Sequence, residues 1–389
     1  MRIVHICLLA PYNDYWGYQD NLLPKYHRKS GHSVTVITTD SVHKNDKIET
    51  VPAADYRLDD GQHIIRLSSK KYFPHFISDI IRYYSIYDIL EKESPDFIMI
   101  HGLNGISALQ AVKYRKNHNN CHIVADNHMD YHNSPLRQKP LSVILRLFYK
   151  FINLYCQKYY DSVFGVTPER IEYQENVFGI SHRKSSLLVM GGDDEKIHFN
   201  EMPQLRNDIR KELELGNDDF VIVTGGKIDR SKNIHLLMQA VSELNGKVKL
   251  IVFGQPNDEM KNEIAGLSDN VNIRFLGWIP SDKAYNYFLA ADLAVFPGTH
   301  SVLWEQACAC GIPCVFKNWD GMHHIDVGGN CKFLYKDSTE EIKSVLFEIA
   351  DNKAEYLEMK NVAEKEKNSF FYSKIAKVAI GDLNEYKRN

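Results

Sequence analysis

Short apolar runs rich in β-branched residues, each closed by a turn residue and followed by helical spacing, recur along this chain and limit its fold more than any other feature. RIVHICLLA (2–10) has the unbroken apolar character of a strand buried on both faces. NLLPKYHRKSG (21–31) has helical spacing ending in a glycine stop, and GHSVTVITT (31–39) is a second strand. PDFIMIHG (95–102), a helix over 105–118 and CHIVADNH (121–128) continue the alternation, and DSVFGVT (161–167) and KSSLLVM (184–190) read as later strands of the same sheet. After the polar stretch HFNEMPQLRNDIRKELELGNDD (198–219) the pattern starts again with DFVIVTGGKI (219–228), the helix NIHLLMQAVSEL (233–244) and the strands KVKLIVFG (247–254), VNIRFLG (271–277), DLAVFPG (292–298) and PCVFK (313–317). Strands alternating with helices twice over predict two doubly wound α/β domains joined near residues 195–210. Ligands of such sheets bind outside the carboxyl ends of the strands, where two facing domains are expected to form a cleft. The candidate loops are therefore 10–21, 101–106, 126–137, 190–195, 225–233, 254–258, 277–282 and 298–305.

Charge and cysteine usage remove several function classes. With 47 basic and 50 acidic residues the formal net charge is −3, which argues against general nucleic-acid binding. The seven cysteines form no CxxC pair and lie mostly in apolar runs, as buried thiols of a reducing compartment do. Cys308, Cys310 and Cys314 lack zinc-ligand spacing. MRIVHICLLAPY turns polar too soon for a signal peptide, and no run reaches the roughly 20 apolar residues a membrane span needs, so a cytoplasmic protein is expected.

Several loops carry chemistry. GGKIDRSKN (225–233) lies between a strand and a helix: Gly226 permits close backbone approach, and Lys227, Arg230 and Lys232 supply positive charge suited to a diphosphate. It is not a P-loop, and an ordinary solvated basic turn is the competing reading. FGQPND (253–258) and FLGWIPSD (275–282) place Gly254, Trp278 and Ile279 at strand ends, where they fit a nucleobase or serve as rim packing. DNHMDYHN (126–133) gathers His128, Asp130 and His132, which suit acid/base work better than metal binding, because no partner cluster accompanies them and no D-x-D triplet exists. Residues 134–160 hold Arg137, Lys139, Arg146, Lys150 and Lys158 with no acid, interleaved with apolar and aromatic residues. This is either a core-facing amphipathic helix or a patch for anionic membrane, to which KKYFPHF (70–76) would add. FPGTHSVLWEQACACGIPCV (296–315) places Glu305 just inside a helix, either as a first-turn acid or as a ligand-binding group.

In this order the pieces resemble the family 4 (group 1) glycosyltransferases of GT-B fold, of the bacterial surface-polysaccharide type. GHSVTVIT matches the family's second strand, and His128 stands where the family has its active-site histidine. VMGGDDEKIHF, containing Asp193, is similar to N-G-x-D…F with Met190-Gly191 in place of Asn-Gly. GGKIDRSKNIHLLMQA is similar to G-R-x-x-x-x-K-G with Lys227 for the arginine and Asn233 for the glycine. FLGWIPSDKAYNYFLAADLAVFPG and WEQACACGIPCV follow the family's nucleotide-binding region, and SFFYSKIAKVAI its last helix. Glu305 matches the second glutamate of the family's E-x7-E, whose role is to accept ribose hydroxyls. The position eight earlier is Pro297, so the first glutamate is missing.

The resemblance implies two Rossmann-like domains, 1–197 and 198–369, with a helix over about 370–389 packing back on the first. It implies retaining transfer from a nucleoside-diphosphate sugar, UDP-linked, to a hydroxyl of a lipid-linked glycan in capsule, O-antigen or other surface polysaccharide. The implied roles are catalytic for His128, Lys227 and Lys232, and donor-binding for Gly17, Gly226, Arg230, Gly254, Trp278, Ile279, Thr299, His300, Ser301, Val302 and Glu305. Asp130, His132 and Asp193 fall on the acceptor side. No metal and no cofactor are expected, and a peripheral position on the inner membrane face through 134–160 is. A sugar-nucleotide epimerase of similar fold and a non-catalytic nucleotide-sugar-binding subunit are the alternatives.

Overall fold

A computed structural model describes residues 1–44, 47–70, 81–134, 140–244, 246 and 248–381, and within them the side chains of 140 and 141 are left out. The chain divides into two compact units, one of Met1–Val189 with the chain from Ile375, the other of Met190–Lys374. The division falls before the 197/198 boundary expected from sequence because residues 190–194 are bonded within the second unit. Gly192 exchanges backbone hydrogen bonds with Phe370 (2.9 Å) and Tyr372 (3.1 Å), and the Asp193 N–H donates to the Tyr285 hydroxyl. Of the expected last helix, 382–389 lie outside the described residues.

The first unit is built on an eight-stranded sheet ordered β10-β9-β8-β7-β1-β2-β6-β5. Its strands are β1 (Arg2–Cys7), β2 (Ser33–Thr39), β5 (Ala54–Arg57), β6 (His63–Leu67), β7 (Phe97–His101), β8 (His122–Asn127), β9 (Ser162–Gly165) and β10 (Ser185–Leu187). Every pairing is parallel except β5 with β6, and a separate antiparallel hairpin joins β3 (Ser41–Lys44) to β4 (Lys47–Thr50). The helices are α1 (Gln19–Lys29), α2 (Tyr87–Glu93), α3 (Ala108–Asn117), α4 (Pro140–Cys156) and α5 (Pro168–Phe178). Apolar strand residues such as Val4, Ile6, Ile98, Ile100 and Ile123 form the core, as an all-but-parallel sheet covered on both faces requires. β1 pairs with β2 on one side and β7 on the other, so the strand order reverses there and opens a binding position at the strand ends.

The second unit has a six-stranded, wholly parallel sheet ordered β13-β12-β11-β14-β15-β16. The strands are β11 (Phe220–Gly225), β12 (Val248–Phe253), β13 (Ile273–Phe275), β14 (Leu293–Phe296), β15 (Cys314–Lys317) and β16 (Cys331–Leu334). Around them lie α6 (Met202–Glu212), α7 (Ile234–Ser242), α8 (Lys261–Ser268), α9 (Ala284–Ala290), α10 (Leu303–Ala309), α11 (Thr339–Asp351) and α12 (Lys353–Glu366). A final helix, α13 (Tyr372–Ile380), bridges the chain positions at which the two units are divided. β11 is flanked by β12 and β14, which makes the ends of β11 and β14 the reversal point of this sheet. All seven cysteines are buried free thiols. Among the described residues no helix is long and apolar enough to cross a membrane.

Candidate active site

At the carboxyl edge of the second sheet, three loops approach so closely that glycine is required. Gly254, at φ +132°, donates its N–H to the Gly277 carbonyl at 2.7 Å, and a Cβ there would lie 1.8 Å from the Gly226 oxygen. Gly226 itself has φ +112° and donates to Phe253 O. A Cβ on Gly298 would meet the Ser231 oxygen at 2.3 Å. The loops after β11, β12 and β14 are thus locked backbone to backbone at the reversal point, the geometry that lets main chain face a ligand.

The cations of this edge divide by what they hold. Lys232 donates to the carbonyls of Thr299 (2.8 Å) and His300 (2.9 Å), so it ties the β11 loop to the β14 loop. Burial lowers its pKa, with Asp229 acting in the opposite direction. Arg230 is paired with Glu259 and, at 3.0 Å, with Glu263. Lys227 is exposed and lies 3.3 Å from Asp229. Thr299 contacts the Ser231 hydroxyl, Ser301 accepts the Trp304 N–H through its carbonyl, and Val302 is the N-cap of α10 without a side-chain cap. Trp278 is exposed and Ile279 half-buried beyond Gly277.

Glu305 is fully buried in the first turn of α10. Its Oε1 accepts from His300 Nε2 at 2.8 Å and lies 3.3 Å from His324 Nε2, while Oε2 has no hydrogen-bond partner among the described residues. Burial opposes the charge, but His300 and then His324 overcome it and bring the carboxyl pKa down to about 2. His300 therefore turns Nε2 to the glutamate instead of outward. His324, on the loop after β15, was not picked out from sequence, where HH in a loop carries no periodic signal.

The first unit assembles a second group. His27 Nε2 faces the Ala376 carbonyl (2.8 Å), which can only accept, so His27 donates there. Its Nδ1 then accepts from His5 Nε2 (3.0 Å), and His5 Nδ1 from His101 Nε2 (2.9 Å). His101 Nδ1 donates to Asp126 Oδ2 at 2.8 Å, which makes His101 doubly protonated. Burial works against that charge, but Asp126 outweighs it and raises the His101 pKa well above the usual value. Burial lowers His27 to about 4 and puts His5 well below its ordinary range, so both are neutral. His128 Nε2 lies 3.4 Å from the Asp126 carboxylate, and Asp20 lies 3.4 Å from His101. Ligand atoms of Asp20, His101 and His128 fall within 4.8 Å of one another, a spacing a metal could use, although the proton on His101 Nδ1 competes with it. The sequence signal for His5 and His101 was a lone polar residue inside RIVHIC and FIMIH.

Asp130 accepts the N–H groups of His132 (2.8 Å) and Asn133 (2.7 Å) through Oδ1 and pairs with Arg170 through Oδ2, so it builds its own loop. His132 is exposed, 3.7 Å from Glu169. Gly17 lies in the loop after β1, where a Cβ would meet nothing within 4 Å, so its backbone is not forced by packing. Asp193 is a buried residue of the second unit.

Residues 206–366 match the family model of glycosyl transferases group 1. The chain is 29% identical over 147 residues to the Campylobacter jejuni N-acetylgalactosamine-N,N'-diacetylbacillosaminyl-diphospho-undecaprenol 4-alpha-N-acetylgalactosaminyltransferase, covering 35% of this chain and 36% of that protein. It is 28% identical over 104 residues to the Salmonella typhimurium lipopolysaccharide 1,2-N-acetylglucosaminetransferase, covering 24% and 27%. These matches span about a third of the length of the curated relatives. Among solved structures, a glycosyltransferase from Rickettsia africae superposes with a TM-score of 0.70 at 14% identity, covering 99% of this chain and 97% of that one. Anabaena HepE in complex with UDP gives 0.67 at 12% identity, covering 99% and 100%. At these identities the likeness is one of fold, and the fold is GT-B.

Proposed function

We propose that this GT-B chain, with its group 1 glycosyl transferase segment, is a retaining glycosyltransferase that moves a sugar from a UDP-sugar to a hydroxyl of a lipid-linked glycan acceptor. The observation that carries the reading is the glycine-locked meeting of the β11, β12 and β14 loops at the reversal point of the second sheet, with cations beside it. Such an edge exposes main chain to a nucleotide diphosphate, and fixed charge there stabilises the departing diphosphate without reorganisation. Lys227 and Arg230 take that role. Lys232 holds Thr299 and His300 in place through their carbonyls, and Glu305 accepts ribose hydroxyls. In the first unit His128 serves the transferred sugar. No metal takes part in this scheme.

The proposal extends to the inner membrane face. α4 buries Tyr149, Ile152 and Cys156, yet its other side turns Val143, Ile144, Leu147, Phe151 and Tyr155 outward, with Phe151 70% and Ile144 64% exposed. A contiguous apolar helix face of this kind, with Arg146 and Lys150 on the same helix, suits insertion at a lipid headgroup boundary. Arg137 and Lys139, and all of KKYFPHF beyond Lys70, lie outside the described residues. The buried side of this helix fits the core-facing reading of the stretch, and the membrane-facing reading is proposed for its exposed side.

The test is transfer from UDP-sugars to a polyprenyl-diphosphate-linked glycan in the presence of EDTA, with GDP-sugars in parallel. Acceptor-dependent product carrying the anomeric configuration of the donor supports the reading. Conversion of the sugar nucleotide without acceptor would instead make the chain an epimerase, and binding with no turnover a non-catalytic subunit.

A further inference from the structure

We infer that His324, with His300, positions Glu305 so that its second oxygen accepts the vicinal diol of a ribonucleotide, making His324 a determinant of ribose recognition. The inference rests on the proposed nucleotide-sugar reading and deepens it. Three elements converge on one carboxylate: Glu305 from α10, His300 from the loop after β14 and His324 from the loop after β15. The side chains of Glu305 and His324 are 0% and 2% exposed and that of His300 8%. Both histidines aim Nε2 at the same oxygen, Oε1, at 2.8 and 3.3 Å. Each imidazole then brings its Nε2–H to Oε1, and the carboxylate stays ionised.

The consequence lies at Oε2. A buried carboxylate oxygen can only accept, and this one has no donor among the described residues. Trp304 Nε1, Gln306 Oε1 and His324 Nδ1 are likewise buried without a partner, so four unsatisfied polar atoms belong to α10 and the His324 ring. Of these, Glu305 Oε2 belongs to an ionised carboxylate at the sheet's reversal point, and an acceptor left without a donor there is one that a hydroxyl-bearing ligand completes. Because Oε1 is saturated by two rings on different loops, the carboxylate cannot rotate to offer either oxygen at will. Oε2 is held in one orientation, and a ribose diol, with two O–H donors, is matched to it. Without His324 the carboxylate keeps only the His300 bond and can pivot about it.

The experiment reads a ratio inside each variant, so that a general loss of folding does not imitate the effect. Wild-type protein is titrated with UDP and with 2′,3′-dideoxy-UDP, and with GDP and its dideoxy analogue if UDP does not bind. The expected preference for the ribonucleotide is about tenfold or more, near 1.4 kcal/mol. His324→Phe should bring the ratio below about threefold while leaving dideoxy-nucleotide affinity within about twofold, and His324→Gln, which keeps an N–H donor, should restore most of the preference. His324→Leu serves as the second variant if the larger ring overfills the site. A wild-type ratio near one, or a ratio unchanged in His324→Phe or His324→Leu, overturns the inference while leaving glycosyl transfer standing. Absence of any nucleotide binding overturns both, and is recognised by the wild type alone.

Discussion

Replacing Gly254 by alanine tests the claim that backbone proximity at the second unit's sheet edge builds the nucleotide site. The added methyl group would sit 1.8 Å from the Gly226 oxygen and 2.9 Å from its carbonyl carbon, both main-chain atoms. A carbon approaches a carbonyl oxygen no closer than about 3.3 Å, so the loops must part by roughly 1.5 Å. The backbone at φ +132° adds its own penalty, since only glycine occupies that region without strain. Strain of about 1–3 kcal/mol and overpacking of similar size give a destabilisation of about 3 kcal/mol, or roughly 10 °C in Tm for a unit of this size. The displaced loop is the one carrying Lys227 and Arg230, and misplacement by about 1 Å costs on the order of a hundredfold in a preorganised site. Differential scanning calorimetry and isothermal titration with UDP read the two quantities separately. Gly266→Ala is the control, because a Cβ there meets nothing within 4 Å and alanine in a helix gains about 0.5–1 kcal/mol. If Gly254→Ala melts and binds UDP as wild type does, the glycine lock is not what forms the site.

Other outcomes follow from the same structure. Lys232→Met should lose about 2 kcal/mol of stability, from two hydrogen bonds of an ammonium to carbonyls, together with nucleotide affinity, whereas exposed Lys227→Ala should hold Tm and lower only a salt-sensitive part of the affinity; equal effects on Tm would refute the division of roles. His27, lowered by burial to about 4 from 6.5, binds its proton only in the unfolded chain between those values, so it withdraws about 3 kcal/mol as pH falls from 6.5 to 4. His27→Gln should flatten urea-derived stability across that window, and an unchanged slope would show that His27 is not the titrating group. Ile144→Asp with Phe151→Asp should abolish co-sedimentation with anionic vesicles and leave UDP affinity unchanged; retention on vesicles would assign the α4 face to another partner.

The alternation of strands and helices was legible in the sequence because parallel strands buried on both faces must be continuous apolar runs, and the glycines at strand ends were legible because few other residues turn so sharply. Gly226, Gly254 and Glu305 could therefore be singled out without coordinates. Local pattern gave no sign of the β3–β4 hairpin or β16, which are short and only partly apolar, and none of His324, whose meaning depends on a carboxylate 19 residues away in sequence. His5 and His101 occupy strand positions that spacing reads as core, and only the β1–β7 register brings the two rings together and sets one proton between them and Asp126. Lys232 was read as positive charge for a diphosphate from its place beside a helix N-terminus; only the fold shows that its ammonium also holds two carbonyls of the β14 loop. Periodicity is a property of neighbours along the chain, so the sequence determined the elements and the edge at which a ligand should lie. Protonation, orientation and partner choice are set by groups far apart in sequence and packed out of water, and those only the tertiary structure decided.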